Sequence, residues 1–197
     1  MNYLAHLYLS QDNGPSMAGN LMADFLKHVE LSELPAAVLN GIENHRATDK
    51  FTDHHPVVLG LKEDFHPDFR RFVPIMLDVT FDHMLAKSWN DYHDLELTEF
   101  TRHAYAQLAE AEAHMPEVMR KRLQGMAKRD WLARYIETDT VEKTLKAISD
   151  RIRFENSLDQ SFSEVMRQYE LIERSFKVFF PELVTHIQSL KLELKEP

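Results

Sequence analysis

Apolar residues recur every three to four positions through nearly the whole chain, and proline or cap residues stand where helices should begin. Ser16 can cap a helix through Met17, Leu21, Met22, Phe25 and Leu26, and Pro35 suits the first turn of the next, which continues to about Asp53. Pro56 opens a third, and Pro74 precedes a strongly apolar fourth containing Ile75, Met76, Leu77, Val79, Phe81, Met84 and Leu85. Thr98 and Pro116 start a fifth and a sixth. Asp139 with Glu142, and Ser161 with Glu164, are spaced as capping boxes, and Pro181 is expected to break the long C-terminal helix. Alternating, strand-like runs are scarce. The expected fold is an all-α helical bundle, with residues 1–197 forming one domain.

Composition narrows the function. The 197 residues contain no cysteine, which removes disulfides, thiolate metal sites and cysteine nucleophiles. Only 5 glycines occur, few for a phosphate-cradling loop, and no serine sits in a nucleophile-elbow context. With 23 Lys and Arg against 32 Asp and Glu, the net charge is -9, which argues against a nucleic-acid partner. No apolar run approaches the roughly 18 residues of a spanning helix, and the first ten residues lack the features of a leader. A cytoplasmic protein without a membrane partner is expected.

Eight of the 11 histidines lie in the first 93 positions (His6, His28, His45, His54, His55, His66, His83, His93), so the chemistry should sit there. His45, Asp49 and Asp53 are spaced to share one face of the second helix, and Arg46 lies one turn from Asp49. That stripe is either an exposed face with an Arg–Asp pair or part of a metal site. Asp78 and Asp82 sit in the apolar run VPIMLDVTFDHML, where an unpaired carboxylate would be costly. Asp78 is expected to pair with an arginine or cap a neighbouring helix. Asp82 and His83 together offer the N/O ligation that suits Mn, Fe, Zn or Ni. Asp24, in NLMADF, needs a partner, and Asn20 is the local alternative. His6 reads as a satisfied core histidine, and His54, His55 and His66 as solvated residues near helix ends.

Arg120, Lys121, Arg122, Lys128 and Arg129 form a basic segment around the sixth helix, with Arg70 and Arg71 as a smaller cluster. Such runs are usually solvated faces, but this one stands out in an acidic chain.

Four blocks in order, MNYLAHLYLS, GNLMADF, HRATDKFTD and LDVTFDHML, span roughly the first 85 residues and resemble the acyl carrier protein phosphodiesterase family. The resemblance implies an HD-phosphohydrolase-like all-α fold with the ligand order rearranged along the chain. It implies hydrolysis of the phosphodiester between 4′-phosphopantetheine and the serine of holo-acyl carrier protein, with Mn²⁺ favoured and Mg²⁺, Fe²⁺ or Co²⁺ as other divalent ions. Carried onto this chain, the metal ligands would be Asp24, His45, Asp82 and His83. Arg46 would clamp the phosphate, and Asp49 would orient His45 or accept a proton. Carrier proteins of this type are acidic, so Arg120, Lys121, Arg122, Lys128 and Arg129 become the expected docking face. Two other readings fit the same residues: an HD-type hydrolase of a nucleotide or other small phosphodiester, and a helical interaction protein whose site is dead.

Overall fold

The computed structural model describes residues 1–194. Among them are ten α-helices, joined by turns and short 3₁₀ segments, and no strand. The first is α1 (Tyr3–Tyr8), followed by α2 (Gly14–Met22), α3 (Ala36–His54), α4 (Pro56–Asp64) and α5 (Val73–Lys87). Then come α6 (Leu97–Glu110), α7 (Glu117–Ala127), α8 (Thr138–Ser149), α9 (Phe162–Arg167) and α10 (Tyr169–Leu190). The all-α expectation holds.

Helix α5 is the hub. It packs against α1, α8 and α10, so it is apolar on almost every side, with Met76, Leu77, Val79, Phe81, Met84 and Leu85 buried. Phe81 meets Phe176 and Phe179 of α10 with ring centres 5.6 and 5.3 Å apart. Helix α2 lies against α3 and α6. The α2–α3 crossing depends on Gly19 and Gly41. A Cβ on Gly19 would lie 2.1 Å from the Val38 carbonyl oxygen and 3.0 Å from the Gly41 Cα. Any side chain there would drive the two backbones apart.

Several helix ends differ from the sequence-based expectation. The cap of α2 is Asn13, whose side chain accepts the Ser16 amide at 2.9 Å. Ser16 itself donates to Glu193, which ties the C-terminal segment to α2. Neither capping box forms. Asp139 lies inside α8, paired with Lys143, because Glu137 occupies the cap position. The Ser161 hydroxyl donates to the Leu158 carbonyl, and Glu164 accepts from the His66 amide and from Arg167. Pro181 does not break α10, which continues through it. The helix loses one amide donor there, yet Phe179, Phe180 and Leu183 on either side of Pro181 are buried in one core and hold both halves in line.

Candidate metal centre and adjoining cleft

Helical spacing in α3 brings His45 and Asp49 to one face, and His45 Nε2 lies 3.0 Å from Asp49 Oδ2. Asp53, the third member of that stripe, is exposed. The other ring nitrogen of His45 donates to the Asn20 carbonyl of α2 at 2.6 Å, which the close α2–α3 crossing makes reachable. From α1, His6 stacks on the His45 ring and brings its Nε2 to 3.3 Å from Asp49 Oδ1. Histidine nitrogens of His6 and His45 and a carboxylate oxygen of Asp49 thus lie within 4.8 Å of one another. Asp24, in the 3₁₀ turn after α2, approaches from the solvent side, 3.8 Å from His45 Nε2.

Burial and charge act in opposite directions on this group. Burial would raise Asp49, but the adjacent His45 and His6 imidazoles and the Met1 ammonium outweigh it and hold the carboxyl far below the usual range. Burial would lower His45, while Asp49 and Asp24 prevail and raise it. His6, fully buried beside a charged His45, is pushed down to about 3. Asp24 is raised, first by desolvation and then by the neighbouring Asp49 charge, against the pull of His45. Asp78 finds its partner in the Met1 ammonium at 2.8 Å rather than in an arginine, and the same ammonium reaches Asp49 at 3.3 Å. Burial alone would lower that amine, but Asp78 and Asp49 raise it to about 11.

Asp82 and His83 face elsewhere. Asp82 is fully buried and accepts the Leu4 amide at 2.8 Å and the Ala5 amide at 3.1 Å. It therefore caps the N-terminus of α1 from a different helix, the role expected of Asp78. Desolvation nevertheless raises its pKa to about 7, against those two amide bonds. His83 Nδ1 donates to the Tyr135 carbonyl at 2.6 Å, and its Nε2 accepts from the Tyr169 hydroxyl at 2.7 Å. Arg46 pairs with Glu43 instead of Asp49 and lines a separate cavity with Lys50, His54, His55 and His186. His55 is buried and bonded to Glu182, whereas His54 and His66 are exposed as expected.

Beside Asp24 opens a cleft of about 660 Å³, lined by Tyr3, Arg122, Met126, Trp131, Ile148 and Arg151 among others. Of the basic segment, Arg122 points into this cleft, Lys121 pairs with Glu117, Arg120 lines a smaller pocket, and Lys128 and Arg129 are exposed.

The residues at the centre fit a divalent ion. Neither ring nitrogen of buried His6 has a hydrogen-bond partner, although both Asp49 and His45 are adjacent. A neutral imidazole lone pair facing a second imidazole and an ionised carboxylate is the N/O donor set that such ions prefer. His6 carried no signal in the sequence beyond its place in an apolar run; only the fold sets it against α3.

No solved structure matches the chain. The family described as acyl carrier protein phosphodiesterase matches residues 1–183. A relative from Enterobacter sp. (strain 638), named acyl carrier protein phosphodiesterase, is 33% identical over 98% of this chain and 100% of its own length. Relatives of the same name from Klebsiella pneumoniae (strain 342) and Serratia proteamaculans (strain 568) are each 34% identical, again over 98% of this chain and 100% of theirs. A match of that extent, covering both the His6 segment and the α3 stripe, makes the chain a member of the acyl carrier protein phosphodiesterase family.

Proposed function

We propose that the chain hydrolyses the phosphodiester joining 4′-phosphopantetheine to the serine of holo-acyl carrier protein, releasing the apo form. The observation that carries this reading is the His6–His45–Asp49 group, with the unsatisfied His6 ring at its centre and a cleft beside it. His6, His45 and Asp49 would hold one divalent ion, Mn²⁺ by preference, with Mg²⁺, Fe²⁺ or Co²⁺ as substitutes. When bound, that ion supplies Lewis-acid polarisation of the phosphoryl group and a more acidic water.

The chain's own groups do the rest. The Asn20 carbonyl holds the His45 Nδ1 proton, so Nε2 faces Asp49 and Asp24. Asp24, about half exposed on the cleft side, takes a proton on a carboxylate oxygen from the attacking water. Asp49 lies between the two imidazoles, one oxygen 3.3 Å from His6 Nε2 and the other 3.0 Å from His45 Nε2, so all three donor atoms converge on one point. Asp82 and His83 stay outside the proposed ion set because their oxygens and ring nitrogens are already engaged. Arg46, held by Glu43 on another cavity, is left out of the proposed phosphate contact.

Helix α7 gives the carrier protein a place to dock. It sends Arg122 into the cleft, while Lys128 and Arg129 follow on the surface as local positive charge in a chain of net charge -9. No helix among the described residues is long and apolar enough to cross a membrane. Mass spectrometry of holo-acyl carrier protein incubated with the protein and Mn²⁺ tests the proposal. The expected result is loss of the phosphopantetheine mass, abolished by a chelator. An unchanged carrier mass with the ion present would overturn it.

A further inference from the structure

Two arginines frame the cleft beside Asp24, and neither makes an ion pair among the described residues. Arg122 lies on α7, with one terminal nitrogen donating to the Tyr3 hydroxyl at 3.0 Å and its guanidinium over the Phe25 ring at 5.2 Å. Arg151 stands just past the end of α8, fixed by a bond from Nε to the Ala147 carbonyl at 2.7 Å. Both line the same cleft. Six other cations of this acidic chain, Arg46, Lys87, Lys121, Lys143, Arg167 and Lys177, each pair with a carboxylate. Exposed ones such as Arg129 and Arg153 stand on the open surface without an ion pair among the described residues; what sets Arg122 and Arg151 apart is that they share one cleft. Arg122 and Arg151 make no ion pair among the described residues, although Asp24 and Asp150 also line the cleft. They are near enough that partial desolvation and the Arg122 charge together lower the Arg151 pKa, although Arg151 remains exposed to solvent. Two like charges held together by neutral partners, with terminal nitrogens left over, make a site for an anion.

We propose that Arg122 and Arg151 clamp the non-bridging phosphoryl oxygens of the substrate at the mouth of the His6–His45–Asp49 centre. This rests on the phosphodiesterase reading above and names the residues that grip its substrate. Met126, Trp131 and Ile148 line the same cleft and offer apolar surface to the organic arm attached to that phosphate. Because the released product carries a phosphomonoester, with more negative charge than the diester, the clamp also predicts product inhibition.

The test uses the full chain and two probes, inorganic phosphate and 4′-phosphopantetheine, with Trp131 fluorescence as the readout. The only other tryptophan, Trp89, is buried away from the cleft. Saturable binding is expected for the wild type. Arg122→Gln and Arg151→Gln should each weaken it at least about tenfold. Arg122→Lys and Arg151→Lys should fall between, and exposed Arg153→Gln should match the wild type. Arg151 is exposed, so Arg151→Gln alone decides the matter should Arg122→Gln fail to fold. Unchanged phosphate binding in Arg151→Gln, or an equal loss in Arg153→Gln, would overturn the clamp. A wild type that binds both probes through the two arginines yet leaves holo-carrier protein intact would overturn the phosphodiesterase reading and keep the clamp. One that cleaves the carrier equally well as Arg151→Gln would do the reverse.

Discussion

The imidazole of His6 lies flat on that of His45, with 3.8 Å between ring centres and planes 11° apart. Two imidazoles so close cannot both carry charge at low cost, and the more buried ring, His6, is the one kept neutral.

Replacing that ring separates stability from function. His6→Leu removes a buried polar group whose nitrogens lack partners and leaves similar volume in the core. In the presence of a chelator the variant should melt no lower than wild type. Its Mn²⁺ content by elemental analysis, and its activity on holo-carrier protein, should fall at least about 100-fold, more than loss of an outer-shell partner typically costs. A variant retaining both would remove His6 from the centre.

The α2–α3 crossing sets the geometry of His45. Gly19→Ala forces a Cβ onto the Val38 carbonyl and the Gly41 Cα, and should cost about 1–3 kcal/mol by denaturant unfolding. Activity should fall as well, because the same displacement stretches the His45–Asn20 bond. Gly60, within α4, has open space around it, so Gly60→Ala should stabilise by about 0.5–1 kcal/mol. Equal effects at the two positions would show that helix propensity, not close approach, is being measured.

Asp82 is predicted to act in folding. Asp82→Ala strands two buried amides of α1 and should cost about 2–4 kcal/mol. Asp24→Ala, at an exposed carboxylate, should melt within about 0.5 kcal/mol of wild type while losing activity. Melting curves and assays of the pair check the division; a stable, inactive Asp82→Ala would return Asp82 to the ligand set.

Glu164, which joins the His66 amide to the Arg167 guanidinium, should contribute to acid sensitivity beside the more strongly depressed Asp49. The Arg167 hydrogen bond, working against desolvation and helped by the His66 amide, lowers its pKa below the unfolded value. The contribution is therefore present above the unfolded carboxylate range near 4.5 and lost as pH falls through the folded value. Glu164→Gln should flatten the acid limb of the stability–pH curve and leave neutral activity intact. An acid limb that keeps its shape in the variant would move the sensitivity to another carboxylate.

Carrier docking makes a kinetic prediction. Lys128→Glu with Arg129→Glu should raise KM for holo-carrier protein about tenfold or more at low salt and spare a small phosphodiester, because rim charges steer encounter rather than chemistry. Equal losses on both substrates would remove α7 as the docking face.

How much of this could be read beforehand depended on whether the cause was local. Pro35, Pro56 and Pro116 marked helix starts because a missing amide donor is harmless there, and His45 with Asp49 were visible as one face. That a carboxylate within α5 must have a partner was also legible. Its partner was not: the amides that Asp82 accepts belong to residues 78 and 77 positions away. His6 was hidden for the same reason, since its neighbours Leu4, Ala5 and Leu7 describe only burial. Arg151, without a motif around it, acquires meaning only where the end of α8 meets α7 across the cleft.

The borrowed cap on α1 has a consequence for synthesis. A helix of six residues is too short to persist alone, and the carboxylate that satisfies its first amides arrives with α5. While the nascent chain is shorter than that, His6 has no fixed direction and cannot meet His45. The centre is therefore closed by the chain's own progress: its first residue to be translated is seated only after the hub helix has emerged.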